Sequence, residues 1–93
     1  MIESFDCRET EKIFKRKPSK SIPPNIYKRA KAKLDMIHAA VDLLDLKNPP
    51  GNCFEKLKGS RSNEHSIRIN DQWRICFFWD NNKAKKVKIE DYH

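Results

Sequence analysis

The sequence predicts a single α+β domain over residues 1–93, with two N-terminal helices packed on a mainly antiparallel sheet of four to five strands. Three observations lead to this prediction. Apolar residues recur at helical spacing between Ile26 and Leu44, the last third of the chain alternates apolar and polar residues, and the helical part precedes the strands. We therefore expect the element order β-α-α-β-β-β-β, with the helices on one face of the sheet.

The start of the chain predicts an edge strand followed by a short helix. Ile2 is the main apolar anchor of the first few residues. Asp6 and Glu9 have the spacing of a capping box, which predicts a helix over residues 7–15. The basic stretch that follows, residues 16–21, is expected to be a solvated linker.

The second helix is predicted from the longest apolar stripe in the sequence. It should begin at Pro23-Pro24, because proline is tolerated in a first turn, and end near Leu46, before Asn48-Pro49-Pro50-Gly51. Its basic residues lie in the first half and its aspartates in the second, which opposes the helix dipole and suggests a basic surface patch. The stripe consists of Ile26, Ala30, Leu34, Ile37, Val41 and Leu44.

The remaining chain predicts strands joined by turns. Residues 54–57 form a candidate short strand, followed by a turn at Lys58-Gly59-Ser60-Arg61. Residues 66–90 then alternate in three runs separated by Asn70-Asp71 and by Asp80-Asn81-Asn82, which favours a three-stranded antiparallel meander. The four apolar side chains of the middle run, from Trp73 to Trp79, are expected to face the core.

Composition favours a polyanionic partner in a reducing compartment. The chain has 20 Lys and Arg against 13 Asp and Glu, a formal charge of +7, which suits RNA, DNA, the ribosome or an acidic protein. Its three cysteines are odd in number and form no Cys-x-x-Cys pair, which fits the cytoplasm. We find no signal peptide and no apolar stretch of the roughly 20 residues that would cross a membrane.

The polar residues suit one reaction class, the cleavage of RNA through its own 2′-hydroxyl. That reaction needs a base, an acid and cations for the charge that builds on the phosphate, and it requires neither a metal nor a cofactor. Arginine can bond two phosphate oxygens at once, and histidine carries protons near neutral pH. The candidate groups are Lys56, Lys58, Arg61, Arg68, Arg74, Asp91, Tyr92 and His93.

Each assignment has a structural alternative. Arg74 could pair with Asp71 or Glu90 across the meander, and His93 could be a terminal residue without a role. On an ideal strand, Asp91 and Tyr92 point to opposite faces, so we expect the strand to end or bulge near Glu90.

The sequence resembles the HigB toxins of the RelE superfamily. The resemblance rests on Leu57-Lys58-Gly59, on Ser-Ile-Arg-Ile-Asn-Asp-Gln-Trp-Arg-Ile-Cys-Phe over residues 66–77, and on the closing Glu90-Asp91-Tyr92-His93. Pro49-Pro50-Gly51-Asn52 and the opening Met1-Ile2-x-Ser4-Phe5 extend it over nearly the whole chain. The resemblance implies a RelE-like fold and a toxin that cleaves mRNA on the ribosome.

The same resemblance implies partners and roles. The expected partners are the ribosome with its mRNA and a HigA-type helix-turn-helix antitoxin. The protein would contact operator DNA only through this antitoxin. It assigns catalysis to Arg74, Asp91, Tyr92 and His93. Some relatives carry a histidine just before the Leu-Lys-Gly turn, where this chain has Glu55, so a glutamate base is one alternative.

Two functions stay open at this point. The first is a ribosome-dependent endoribonuclease toxin, in which Lys56, Lys58, Arg61 and Arg68 contact RNA. The second is a non-catalytic protein of the same fold that binds RNA, the ribosome or an antitoxin, and the missing histidine favours it. A DNA-binding domain ranks last, because no recognition helix stands out.

Overall fold

A computed structural model describes residues 1–92, and it contains one four-stranded antiparallel sheet with its strands in chain order. The helices are α1 (Arg8–Phe14) and α2 (Tyr27–Ala39), and the strands are β1 (Glu55–Lys56), β2 (Glu64–Arg68), β3 (Trp73–Asp80) and β4 (Lys83–Asp91). Short 3₁₀ turns cover Pro24–Ile26, Leu43–Lys47, Pro50–Asn52 and Gly59–Arg61. This architecture confirms the predicted α+β class and the predicted meander.

The N-terminal segment extends the sheet beyond β4. Ile2 and Phe5 form parallel bridges with Ala84 and Val87 of that strand, and backbone hydrogen bonds of 2.7–3.0 Å accompany them. The predicted edge strand is therefore present as two bridges, which matches the expected four to five strands. None of the helices in residues 1–92 has the length and apolar character needed to cross a bilayer.

Both helices pack against one face of the sheet, and we call the opposite face, against which neither helix packs, the open face. The core consists of the inward side chains of the two helices and of alternate residues of the meander, which is the period-two signal read from the sequence. Thr10 of α1 fixes the helix to the sheet, since its buried Oγ1 accepts a hydrogen bond from the backbone N–H of Ile89 at 2.9 Å. Trp73, Ile75, Phe77 and Trp79 all contact this core, as predicted.

Helix α2 ends seven residues earlier than predicted, and two members of its predicted stripe are exposed. Val41 and Leu44 expose 73% and 57% of their surface. The reason is a capping box that starts a new 3₁₀ turn: Asp42 accepts from the backbone N–H of Leu44, and Asp45 accepts from the N–H of Val41 and Asp42. Leu46 enters the core in their place.

The capping box predicted at the start of α1 is absent, whereas the basic stretch 16–21 is the solvated loop that the sequence predicted. Cys7 occupies the N-cap without a side-chain hydrogen bond, so Asp6 and Glu9 form no capping box. Glu9 instead accepts hydrogen bonds from the Ser19 hydroxyl at 2.7 Å and the Lys20 N–H at 2.9 Å. These bonds lower the pKa of Glu9 to about 2, and they connect the solvated loop to α1.

Strand β4 combines both features that the sequence predicted as alternatives. The strand ends at Asp91, close to Glu90 as expected. The irregularity lies further back, where two residues of β4 oppose one residue of β3 and Lys86 has a φ of 53°. The bulge at Lys86 therefore shifts which side chains of β4 face the core, and it does so before the strand reaches Glu90 and Asp91.

Candidate functional site

The centre of the candidate site is the guanidinium group of Arg74, which lies on the open face of β3. Its Nε donates to the Ser66 hydroxyl at 2.9 Å, and its Nη2 donates to the Cys53 carbonyl at 2.6 Å and more weakly to the Ser66 carbonyl at 3.4 Å. Arg74 is only 8% exposed. Its partners are thus neither Asp71 nor Glu90, which were the structural alternatives read from the sequence.

Two side chains lie over Arg74. The ring centroid of Tyr92 is 5.2 Å from the guanidinium carbon, and a carboxylate oxygen of Glu55 is 3.8 Å from Nη2. The Tyr92 hydroxyl donates to the same Glu55 oxygen at 3.0 Å. Partial burial, followed by this hydrogen bond, raises the pKa of Tyr92, so its hydroxyl keeps its proton at neutral pH. These three residues form what we call the Arg74 triad.

A cavity of about 200 Å³ lies beside the triad. The side chains of Glu55 and Tyr92 line it together with Lys56, Leu57 and Lys58. Both lysines are exposed, so their ammonium groups can approach a phosphate from solvent. The structure therefore brings three predicted site residues, Lys56, Lys58 and Tyr92, around one opening, with Arg74 beside it beneath the Tyr92 ring.

Two other predicted RNA contacts have carboxylate partners. Arg61 donates to both oxygens of Glu64, at 2.7 and 2.8 Å, and to both oxygens of Glu90, at 3.0 Å. The two carboxylates raise the pKa of Arg61 and compensate its charge. Arg68 forms an ion pair with Asp71. Arg61 is thus engaged by two carboxylates, Arg68 has one exposed partner, and no carboxylate among residues 1–92 pairs with the lysines beside the triad.

The C-terminal candidates separate within the described chain. Asp91 is exposed, and its carboxylate accepts a hydrogen bond from the Gln72 side chain at 2.9 Å. Tyr92 turns back over the sheet, with its backbone N–H bonded to the Gln72 carbonyl at 2.7 Å. His93 lies outside the described residues. Of the two described residues, Tyr92 belongs to the Arg74 triad and Asp91 bonds to Gln72, and the prediction that Asp91, Tyr92 and His93 share one site stays a prediction.

Sequence reasoning missed three residues that hold the site together. Ser66 is fully buried, Cys53 adopts a left-handed conformation with φ 45°, and Asn52 is fully buried beneath the turn that precedes Cys53. A non-glycine residue with positive φ leaves no clear mark in a sequence. The buried asparagine after Pro-Pro-Gly was visible as part of the family motif, but its role was not.

Two titratable groups near the sheet do not join the triad. Cys76 lies on the open face beside Glu90, and burial raises the pKa of its thiol to about 12, so it is not a thiolate nucleophile. His65 lies on the opposite face of β2 from Ser66, stacked 5.7 Å from Phe54, and burial lowers its pKa. Within residues 1–92, no three His, Cys, Asp or Glu side chains are grouped as a metal site requires.

The arrangement can stabilise an anion and exchange protons. A buried cation whose partners are mostly neutral keeps its charge in a region of low dielectric, where its interaction with a phosphate is stronger than in water. The hydroxyl–carboxylate pair beside it supplies one proton donor and one acceptor at 3.0 Å. A cation, a proton donor and a proton acceptor are the functional groups that a phosphoryl-transfer reaction needs.

Comparison with known proteins identifies relatives over the full chain. The profile of a family described as the RelE-like toxin HigB of type II toxin–antitoxin systems matches residues 3–93. Toxin HigB-1 of Vibrio cholerae is 37% identical over 71 residues, which are 76% of this chain and 75% of the relative. Endoribonuclease HigB of Proteus vulgaris is 30% identical over 93 residues, the whole of both chains.

A solved structure shares the fold. The YoeB–YefM complex from Staphylococcus aureus contains a chain that superposes with a TM-score of 0.62 and 21% sequence identity, covering 100% of this chain and 98% of that one. At this identity the match shows the fold alone. It confirms the RelE-like arrangement that the sequence resemblance implied.

Proposed function

The chain belongs to the family of HigB toxins, the RelE-like toxins of type II toxin–antitoxin systems, and on that premise we propose that it is a ribosome-dependent endoribonuclease. It would cleave mRNA on the translating ribosome in the cytoplasm, without a metal ion or another cofactor. The observation that carries the proposal is the meeting of Arg74, Glu55 and Tyr92 beside Lys56 and Lys58. The relative named Endoribonuclease HigB supports this reaction class.

In the proposed reaction the 2′-oxygen of one nucleotide attacks the adjacent phosphorus, and the 5′-oxygen of the next nucleotide leaves. The products are a 2′,3′-cyclic phosphate and a 5′-hydroxyl, so the reaction consumes neither water nor an oxidant. Negative charge builds on the phosphate oxygens during attack. Arg74 stabilises that charge, and Lys56 and Lys58 hold the flanking phosphates.

The proton transfers are assigned to the hydroxyl–carboxylate pair. Glu55 takes the proton from the attacking 2′-hydroxyl, because its carboxylate already accepts a hydrogen bond at the edge of the cavity. Tyr92 gives its proton to the leaving 5′-oxygen, because the raised pKa keeps its hydroxyl protonated. Asp91 orients the end of β4 through Gln72, and His93 is a second candidate acid.

The mechanism requires Tyr92 to move. Arg74 is 8% exposed beneath the tyrosine ring, whereas Tyr92 itself is 46% exposed and follows the last residue of β4. Rotation of one half-exposed side chain therefore uncovers the guanidinium. The hydrogen bond to Glu55 that breaks is worth only about 1 kcal/mol net, which contacts with an RNA phosphate can replace.

A protein partner follows from the family. A toxin that cleaves mRNA has to be neutralised in the cell that makes it, and the family description specifies a toxin–antitoxin system. We propose an antitoxin of the HigA type with a helix-turn-helix, which inhibits this chain and contacts operator DNA for both proteins. The formal charge of +7 suits an acidic surface on that partner.

Primer extension on a translating mRNA tests the proposal. New 5′ ends within codons should appear with the parent protein and disappear with Arg74→Ala. Lys83→Ala is the matched control, because Lys83 is exposed at the far end of β4, roughly 25 Å along the strand from Asp91. Ends that accept a radiolabelled phosphate from a kinase without prior phosphatase treatment carry 5′-hydroxyls, as 2′-hydroxyl attack requires. Ends that already carry a phosphate would contradict the metal-free reaction.

A second function, binding without cleavage, is favoured by the occlusion of Arg74. A guanidinium that is buried and bonded to two backbone carbonyls also serves as an internal support. A binder would protect ribosomes or RNA in a salt-dependent manner and leave all RNA ends unchanged. The same primer-extension experiment separates the two functions, provided that a folded sample binds ribosomes.

A further inference from the structure

We infer that Ser66 and the backbone carbonyl of Cys53 position Arg74 for the phosphate, and that Asn52 holds the Cys53 carbonyl in place. The inference rests on the proposed function and deepens it. It adds residues that do not touch the substrate but determine the orientation of the group that does. It starts from the hydrogen bonds of a single guanidinium.

A guanidinium carries five N–H groups in one plane. In Arg74, Nε donates to the Ser66 hydroxyl at 2.9 Å, and Nη2 donates to the Cys53 carbonyl at 2.6 Å and the Ser66 carbonyl at 3.4 Å. Acceptors on two different segments fix both the position and the plane of the group. No residue between 1 and 92 accepts a hydrogen bond from Nη1, so its two N–H groups are left for a ligand.

The chemistry of these partners distinguishes Arg74 from Arg61, the arginine at the centre of the other hydrogen-bond network. Arg61 is held by two carboxylates, Glu64 and Glu90, which cancel its charge. Arg74 is held by a hydroxyl and two carbonyls, which orient the group without cancelling its charge, and the one nearby carboxylate, Glu55, is 3.8 Å away. A structural arginine gains most from carboxylate partners, whereas an anion-binding arginine needs neutral ones.

Ser66 reaches Arg74 through the pairing of the sheet. On β2 its register partners are Glu55 of β1 and Cys76 of β3, while Arg74 pairs with Arg68. Ser66 is therefore the diagonal neighbour of Arg74 on the same open face. Ser66 is fully buried, so its hydroxyl has no water to replace this contact.

The Cys53 carbonyl is held by a turn that Asn52 anchors. The Asn52 amide donates to the carbonyls of Leu46 at 3.1 Å and Asn48 at 3.2 Å, and its oxygen accepts from Lys33 of α2 at 2.5 Å. Cys53 follows at φ 45° and ψ 49°, a left-handed conformation that turns the chain toward β1. The turn thus links helix α2, through Lys33 and Asn52, to the Arg74 guanidinium, through the Cys53 carbonyl.

A double-mutant cycle on the full-length protein tests the inference. The assay is single-turnover cleavage of mRNA on purified ribosomes, with Ser66→Ala measured in the parent and in Arg74→Lys, a background that keeps the charge but not the fork. We expect Ser66→Ala to slow cleavage by about tenfold in the parent and by less than about twofold in Arg74→Lys. The apparent ribosome affinity should be unchanged, because positioning acts on the chemical step.

Two further variants separate positioning from folding. Ser66→Thr keeps the hydroxyl and should restore cleavage to within about threefold of the parent. Ser62→Ala removes an exposed serine from the connection that precedes β2 and should have no effect. Thermal unfolding of each variant reports its stability. For the anchoring residue, Asn52→Ala should slow cleavage in the parent and have little effect in Arg74→Lys.

The possible outcomes are distinct. Cleavage at the parental rate by Ser66→Ala overturns the inference. An equal loss of cleavage rate in the parent and in Arg74→Lys also overturns it, because that result would mean a general structural role for Ser66. Full cleavage by Arg74→Ala would instead refute the proposed function itself. Loss with Arg74→Ala but none with Ser66→Ala would leave the proposed function intact and reject the positioning role alone.

Discussion

Removal of Arg61 should destabilise the protein without weakening its contact with RNA. The sequence suggested Arg61 as an RNA-binding residue, yet its guanidinium forms four hydrogen bonds with the carboxylates of Glu64 and Glu90. Among residues 1–92, the variant Arg61→Ala leaves these two carboxylates with only Lys88, whose Nζ is 4.0 Å from a Glu90 oxygen, as a nearby cation. The structure therefore predicts that its main effect is on folding.

The magnitude follows from the exposure of the three side chains. An exposed ion pair contributes about 0–1 kcal/mol, and breaking a buried one costs about 3–5 kcal/mol. The Arg61 side chain is 40% exposed, whereas Glu64 and Glu90 are 14% and 18% exposed, so the network lies between these limits. We expect a loss of about 2 kcal/mol, which lowers the Tm of a domain of this size by about 10 °C.

The pH dependence gives an internal check. Arg61 lowers the pKa of Glu64 in the folded protein, so their interaction contributes stability above the ordinary glutamate pKa and loses it as the pH falls through the lowered value. The difference in Tm between parent and Arg61→Ala should be complete at pH 7 and should shrink below about pH 4. Thermal unfolding followed by circular dichroism measures both.

The RNA measurement needs a charge-balanced variant. Arg61→Ala/Glu64→Gln removes one charge of each sign, and we expect its affinity for a single-stranded RNA to depend on salt as the parent does. Lys58→Ala, at the exposed cavity, should reduce the slope of log K against log salt by about 0.7. This reasoning would be refuted if Arg61→Ala had the same Tm as the parent and Arg61→Ala/Glu64→Gln showed a reduced slope of log K against log salt.

Three further predictions concern the triad and its surroundings. Tyr92→Phe should slow mRNA cleavage by about 10²-fold or more while changing stability by less than about 1 kcal/mol, as single-turnover assays and thermal unfolding would show; parental cleavage would exclude Tyr92 as the acid. Tyr92→Ala should uncover Arg74 and speed its modification by phenylglyoxal, measured by peptide mass spectrometry; an unchanged rate would mean that Tyr92 does not cover it. Asp42→Ala should cost about 1 kcal/mol in urea unfolding by removing the capping box, while Asp35→Ala, which removes only a surface ion pair with Lys31 worth about 0.5 kcal/mol or less, serves as the control; equal losses would contradict the capping argument.

The sheet was predictable because its signal is local. Alternation of apolar and polar residues within each run determined which side chains face the core, and turn residues between the runs determined their antiparallel order. The end of α2 was mispredicted for a reason that was also local. Asp42 and Asp45 have the spacing of a capping box, but the apolar stripe through Val41 and Leu44 was given more weight.

The candidate site was predictable only in part because its contacts are long-range. The family motif pointed to Arg74 and Tyr92, but nothing near either residue identifies its partner. The Tyr92–Glu55 bond joins residues 37 positions apart, and the bond from Arg74 to the Cys53 carbonyl spans 21 positions. Counting charges also could not show that folding would pair Arg61 with two carboxylates.

Arg74 and Tyr92 have opposite physical requirements in the proposed mechanism, because the guanidinium has to stay fixed while the tyrosine ring has to move. Arg74 lies on an interior strand and is held by acceptors from two segments, so its orientation is established before any substrate arrives. Tyr92 lies beyond the last strand residue, and a single side-chain hydrogen bond holds its hydroxyl. Because a preorganised cation loses little entropy on binding, most of the rearrangement falls on Tyr92, where it costs about 1 kcal/mol. In the proposed reaction, a phosphate that displaces the tyrosine ring would meet a charge already in position, and the hydroxyl and carboxylate released from each other would become available for the two proton transfers.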